Sequence, residues 1–346
     1  MDEIFHKLNL ASNLWQTQKC RHQKFFEATD IWLHPATGEI EVDSKTVQES
    51  NLKTWLTDEV RGSDGDARFL LQRFVWVEID VTGREIMLDS SIGKTLIKAF
   101  KLGLANGYLT SATSGITALP PSTSENGEIS TFAFGHAPKM AATWSQEHFT
   151  YWLGRPATTR SMIFMSKESI EATQVFLKKS WTASLYHSSM FPVFVLAIQM
   201  GVEIGDSQRK DIEKVHRIER STGFHTFKHR AEGDIITDSG KLVVFTSGLA
   251  AKLASMERNS KVLGMLLEFV ANTMDQKSSA QKTVENQDED DKWLHAEKGS
   301  RELLSHHISV LRDRLAMLDL ETDYLTKRVK MQTESVSCFA SVICRR

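Results

Sequence analysis

The sequence predicts an α+β domain followed by long antiparallel helices that form a coiled-coil stalk. Three observations predict it. Strand-like runs are confined to the stretch between Arg68 and Met165, and beyond Trp181 they disappear. Two later helices carry apolar stripes at alternating intervals of four and three. That spacing keeps one face of a helix against a partner.

The first segment, 1–66, reads as an N-terminal extension with some helix, because short aromatic pieces around Trp15, Phe25, Phe26, Trp32 and Trp55 are separated by polar turns. A mixed α/β domain then covers 67–225. It opens with Arg68 to Asp80, apolar, aromatic and β-branched, which predicts one or two short buried strands. Asp89 or Ser90 caps a helix that runs to Leu102, where Gly103 stops it. Asn106 to Gly127, low in charge and broken by Pro120-Pro121, predicts strand followed by loop. Ile129 to Phe134, Met140 to Ser145 and Ser161 to Met165 predict further strands. Ser166 caps a helix to about Trp181, with Glu168 and Glu171 near its positive end. A buried helix, Met190 to Val202, and an amphipathic one, Ser207 to Arg220, come before Gly223.

A long helix follows within 226–275, starting near Gly240, with the stripe Leu249, Leu253, Met256, Ser260, Leu263, Leu267, Val270 and Met274. The segment 276–290, rich in Lys, Ser, Gln and acid, predicts a charged linker. The stalk helix occupies 291–346. Its seam runs through Leu304, Ile308, Leu311, Leu315, Leu318, Thr322, Leu325, Val329, Gln332, Val336 and Phe339, and neither Pro nor Gly interrupts it. Such a repeat predicts left-handed supercoiling. It gives Leu304, Ile308, Leu311, Leu315, Leu318, Leu325 and Val329 an assembly role, by self-association through the C-terminal helix. Polar Thr322 and Gln332 within the seam set register or helix number, which favours several helices over a two-stranded zipper.

Composition narrows the functional classes. With 41% hydrophobic and 25% charged residues, the chain has enough apolar content for a sizeable core. A formal net charge of -2 gives no electrostatic footprint for nucleic acid. Three cysteines, Cys20, Cys338 and Cys344, lack zinc-knuckle spacing and fit a reducing compartment. The start, Met1-Asp2-Glu3, is acidic and without an apolar run, so a cytoplasmic location is expected. The oiliest run, Met190 to Val202, falls short of the roughly 20 residues a membrane helix needs and contains Pro192 and Gln199. Direct membrane insertion of this chain is not expected.

No motif supports an enzyme. Gly93-Lys94-Thr95 resembles the end of a phosphate loop, but Leu88 stands where the first Gly is required. His225 and His229 are four apart, yet Thr226 occupies the place of the Glu a hydrolytic zinc helix needs, and they read as surface histidines. Ser111 to Gly115 lacks the first Gly of a nucleophile elbow. Cys20 beside His22 is adjacency in sequence rather than a catalytic pairing. Asp288 to Asp291 lacks the alternation and Gly of a calcium loop and reads as a solvated acidic helix start. The alternating acids and bases of the terminal helix, Asp313, Asp319, Glu321 and Asp323 with Arg312, Arg314, Lys327, Arg328 and Lys330, read as a solvated face.

Three stretches carry a resemblance. Ile218-Glu219-Arg220-Ser221-Thr222-Gly223-Phe224-His225 is similar to the Ile-Glu-x-x-Thr-Gly-x-His stretch of the CorA-like metal ion transporters. Leu249 to Arg258, with Val262-Leu263 and Leu267-Glu268-Phe269, and Tyr324 to Gln332 resemble the same family's long helix and stalk, particularly in its divergent eukaryotic branch. The likeness covers the chain from about Arg68 onward. It implies an αβα cytosolic domain, a stalk that assembles as a homopentamer, and divalent cations, chiefly Mg2+, as cargo. The family's Gly-Met-Asn pore motif and both transmembrane helices are lacking in this sequence, so the expectation is a cytosolic portion that does not transport alone. No pore or metal residue is assigned. The alternative is a soluble coiled-coil scaffold that binds another chain.

Overall fold

A 13-residue strand, Arg68–Asp80, organises the first half of the protein, buried on both faces from Leu70 to Val77. The computed structural model describes residues 19–61, 67–80, 85–102, 139–140, 143–144, 149–153, 158–222, 239–280 and 288–343. The strands are β1 (Lys19–Cys20), β2 (Phe25–His34), β3 (Glu39–Gln48), β4 (Val60–Arg61), β5 (Arg68–Asp80), β6 (Glu85–Ile86), β7 (Lys139–Met140), β8 (Thr143–Trp144), β9 (Phe149–Leu153) and β10 (Thr159–Met165). The helices are α1 (Leu52–Thr57), α2 (Ser90–Ala99), α3 (Lys167–Leu177), α4 (Phe191–Thr222), α5 (Ser239–Ala280) and α6 (Asp288–Ile343). The chain divides into two compact units, Met1–Leu196 with Phe269–His307, and Ala197–Glu268 with Ile308–Arg346.

In the first unit, β5 pairs antiparallel with β2 and parallel with β10. β3 extends the sheet beyond β2, and β9 extends it beyond β10. Side chains alternate across a strand, so β5 supplies two cores. Val75, Val77 and Ile79 join Trp55 of α1 and Ile92, Leu96 and Ile97 of α2 on one face. On the other, Phe74 meets Phe191 of α4 edge-on, and Gln72 donates to the carbonyls of Tyr186 and Ser188. The unit is therefore an αβα sandwich, in agreement with the expected α+β class.

The charged centre of this sheet is structural. Arg73 and Asp30 are fully buried and paired at 2.8 Å. Trp55 Nε1 also donates to the Asp30 carboxylate, and Lys45 reaches it at 2.9 Å. Arg73 fills its remaining donors with the carbonyls of Trp55 and Asp58. A buried ion pair is tolerated when its other hydrogen-bonding groups are satisfied in this way.

Several boundaries differ from the sequence reading. The segment 1–66 supplies β2 and β3 to the main sheet rather than an extension. A register shift between Ile31 and Trp32 breaks the two-residue period of β2, and Thr29 and Asp30 are buried polar positions. Both features mask a strand. Helix α2 stops at Ala99, before Gly103. Its C-cap is Phe100, followed by Lys101, left-handed at φ +57°, and Leu102 N–H reaches back to the Ile97 carbonyl. The two helices expected between Met190 and Arg220 are one, α4, and the charged linker gives up 276–280 to α5. The expected strand at Ile129 to Phe134, the stretch Asn106 to Gly127, the serine segment at 111–115 and the His225/His229 pair lie outside the described residues.

Candidate functional site

The second unit's described residues come from three helices: α4 from Ala197, α5 up to Glu268, and α6 from Ile308. Their directions follow from their contacts. Gln208 and Glu219 of α4 meet Thr322 and Arg328 of α6, a parallel pairing. Ser260 of α5 bonds Asp319, and Leu267 accepts from Arg312, so α5 runs antiparallel to α6. Gly205 of α4 and Gly264 of α5 lie against Arg314 and Leu315 of α6, with room for a Cβ at ordinary contact distance.

The seam of α6 faces this bundle. Ile308, Leu315, Leu325, Val329 and Val336 are buried, and Leu311 and Leu318 are half-buried. Leu304 is buried in the first unit. The two polar seam positions both find α4. Gln208 Nε2 donates to the Leu318 carbonyl at 2.8 Å and to Thr322 Oγ1 at 3.1 Å. Thr222 Oγ1 donates to Gln332 Oε1 at 2.6 Å. Buried polar groups with partners define one register, since a slip would leave each of them unpaired. The chain thus satisfies much of this stripe with its own helices.

Between these two contacts lies a buried bidentate ion pair. Arg328 Nε donates to Glu219 Oε1 at 2.7 Å, and its Nη2 to Oε2 at 2.6 Å. Both side chains are buried, and the two parallel bonds fix the guanidinium in the carboxylate plane. Burial works against the Arg328 charge, but the hydrogen bonds and charge of Glu219 outweigh it and hold the group above its ordinary value. Arg328 also lies 5.2 Å from the Tyr324 ring centroid. A second buried acid on α4, Asp211, takes Lys252 of α5 at 2.8 Å and Lys214 at 3.2 Å.

These contacts join stretches that are far apart in sequence. Glu219 and Thr222 belong to the Ile218–His225 stretch, and Arg328 and Gln332 to the Tyr324–Gln332 stretch. Their pairing was not legible in sequence, where Arg328 reads as one of many charges on a solvated face.

The other chemical candidates are absorbed by local structure. Gly93-Lys94-Thr95 lies inside α2, whose N-cap Asp89 bonds Ser91 N–H, so no phosphate loop exists there. Burial, followed by the Asp89 charge, pushes the Cys20 thiol up, away from the thiolate that catalysis needs. His22 pairs with Asp89 instead. Among the described residues, no group of three metal-ligating side chains is present, and no helix is long and apolar enough to cross a membrane.

Comparison with solved structures gives distant likenesses. The crystal structure of the ZntB cytoplasmic domain from Vibrio parahaemolyticus RIMD 2210633 is similar at a TM-score of 0.44 and 9% identity. The match covers 92% of this chain and 99% of that one. No family model and no curated protein matches the chain.

Proposed function

We propose that this chain is the cytosolic part of a CorA-like divalent metal cation transporter, with Mg2+ as the expected cation and α6 as its stalk. The observation that carries this reading is the Glu219–Arg328 pair with its neighbour Thr222–Gln332. Two stretches chosen for their likeness to that family, more than a hundred residues apart, meet as partners in one buried junction. An incidental likeness gives no reason for the matched residues to pair. In this reading the junction ties the stalk helix to α4 and fixes its register, and the stalk brings copies of the chain together, as a pentamer by analogy with the family.

Light scattering on the full chain during a titration with millimolar Mg2+ tests the reading, with Na+ at matched ionic strength as control. The expected result is an oligomer whose mass changes with Mg2+ and not with Na+. A mass indifferent to both would remove the reading and leave a scaffold whose helix binds another chain.

A further inference from the structure

A cavity of about 260 Å³ opens between β3 and α1, far in the fold from the stalk junction. Val47 of β3 and Trp55 of α1 line its inner part, both almost fully buried in the core beneath α1 and α2. Side chains alternate along a strand, so Lys45 projects from the same side of β3 as Val47. It lines the cavity together with Asn51, Thr54 and Asp58, which are more exposed and stand toward the opening. The cavity has a charged anchor. Lys45 Nζ lies 2.9 Å from the fully buried Asp30 carboxylate and 3.2 Å from that of Asp43. An ammonium has three N–H donors, so these two acids leave one for a ligand. Arg73 Nη2 donates to Asp30 Oδ2 at 3.3 Å and to the Asp58 carbonyl at 2.7 Å. A single guanidinium thus spans from the acid that holds Lys45 to the backbone of Asp58. The same group stacks on Trp55, with Cζ 4.4 Å from the ring centroid, which fixes the apolar wall as well.

We propose that this cavity binds a small zwitterion, a free amino acid with an apolar side chain. Its carboxylate meets Lys45, its ammonium meets Asp58, and its side chain packs on Val47 and Trp55. Charge selects this class. A lone anion drawn to Lys45 would also face Asp43 and Asp58, and a lone cation drawn to Asp58 would also face Lys45. A ligand that carries both charges sets each against its opposite. Size selects it too. Sites for drug-sized ligands enclose roughly 300 to 1,000 Å³, so this smaller cavity suits a compact metabolite rather than a nucleotide or a folded peptide. Asn51 and Thr54 supply hydrogen-bonding side chains at the opening. Because Arg73 and Asp30 already hold Lys45, Trp55 and the Asp58 backbone in place, little ordering is left for the ligand to impose. The inference does not depend on the transporter reading, since no residue of the stalk junction takes part in it.

Isothermal titration calorimetry on the full chain tests the proposal with three probes of similar shape. L-leucine carries both charges, 4-methylpentanoate only the carboxylate, and 3-methylbutylamine only the ammonium. L-leucine is expected to bind with a Kd of about 1 mM or tighter, and each single-charge probe about tenfold or more weakly than that. Absence of binding by L-leucine, or a single-charge probe that binds as tightly as L-leucine, would overturn the assignment. Two variants locate the site. D58N keeps the backbone carbonyl that Arg73 uses, so circular dichroism is expected to be unchanged while the L-leucine Kd rises about tenfold. K45M leaves Asp30 paired with Arg73 and Trp55, and is expected to weaken L-leucine by a similar factor. L-leucine binding that D58N leaves unaltered would overturn the proposal, including where K45M fails to fold.

Discussion

Glu219 and Arg328 show how one pair of residues acts through what it leaves behind. Removing one member of a buried ion pair strands the other charge, which costs about 3 to 5 kcal/mol, whereas removing both costs far less. R328M alone is therefore expected to destabilise strongly, and E219L with R328M to recover a large part of that loss. Urea unfolding of the two single variants and the double variant measures the coupling, and additive losses would show that the pair does not interact. Asp89 offers a second residue-level test. Its hydrogen bonds with His22, then with Ser91, hold the carboxyl at about 2, below its ordinary 3.8. A carboxylate lowered on folding stabilises the protein above its unfolded value and loses that contribution as pH falls from about 4 through about 2. D89A removes the cap, at a cost of about 1 kcal/mol near neutral pH, and flattens the acid limb of the melting temperature over that window.

At the scale of elements, the long helices were legible and the sheet was half legible. Heptad spacing is a property of sequence alone, so the α5 and α6 stripes and their antiparallel pairing followed from it. Which partners cover the α6 stripe did not follow, because the spacing names a face and not its neighbour, and only packing shows that α4 and α5 of the same chain meet it. β3 was hidden for another reason. Among the described strands it pairs with β2 alone, and it carries Glu39, Glu41, Asp43 and Lys45, the charges that protect a sheet edge and dilute a strand pattern. The end of α2 was misplaced because Gly103 is the residue expected at a left-handed cap, while the structure uses Lys101. A lysine there bears strain that glycine does not. K101G is expected to raise stability by up to about 1 kcal/mol in thermal unfolding, with a fall showing that the lysine side chain contributes more than its backbone costs.

For the whole molecule, the αβα unit satisfies the buried Arg73–Asp30 pair at the centre of its sheet, and the described residues show no group of three side chains that could hold a metal ion. The polar contacts of α6 with α4 hold one face inward in a fixed register. Sedimentation velocity of the full chain with millimolar Mg2+, and with Na+ at matched ionic strength, tests the proposed function most directly. The expected result is an oligomer whose boundary shifts with Mg2+ and not with Na+. A boundary that ignores both cations would contradict it.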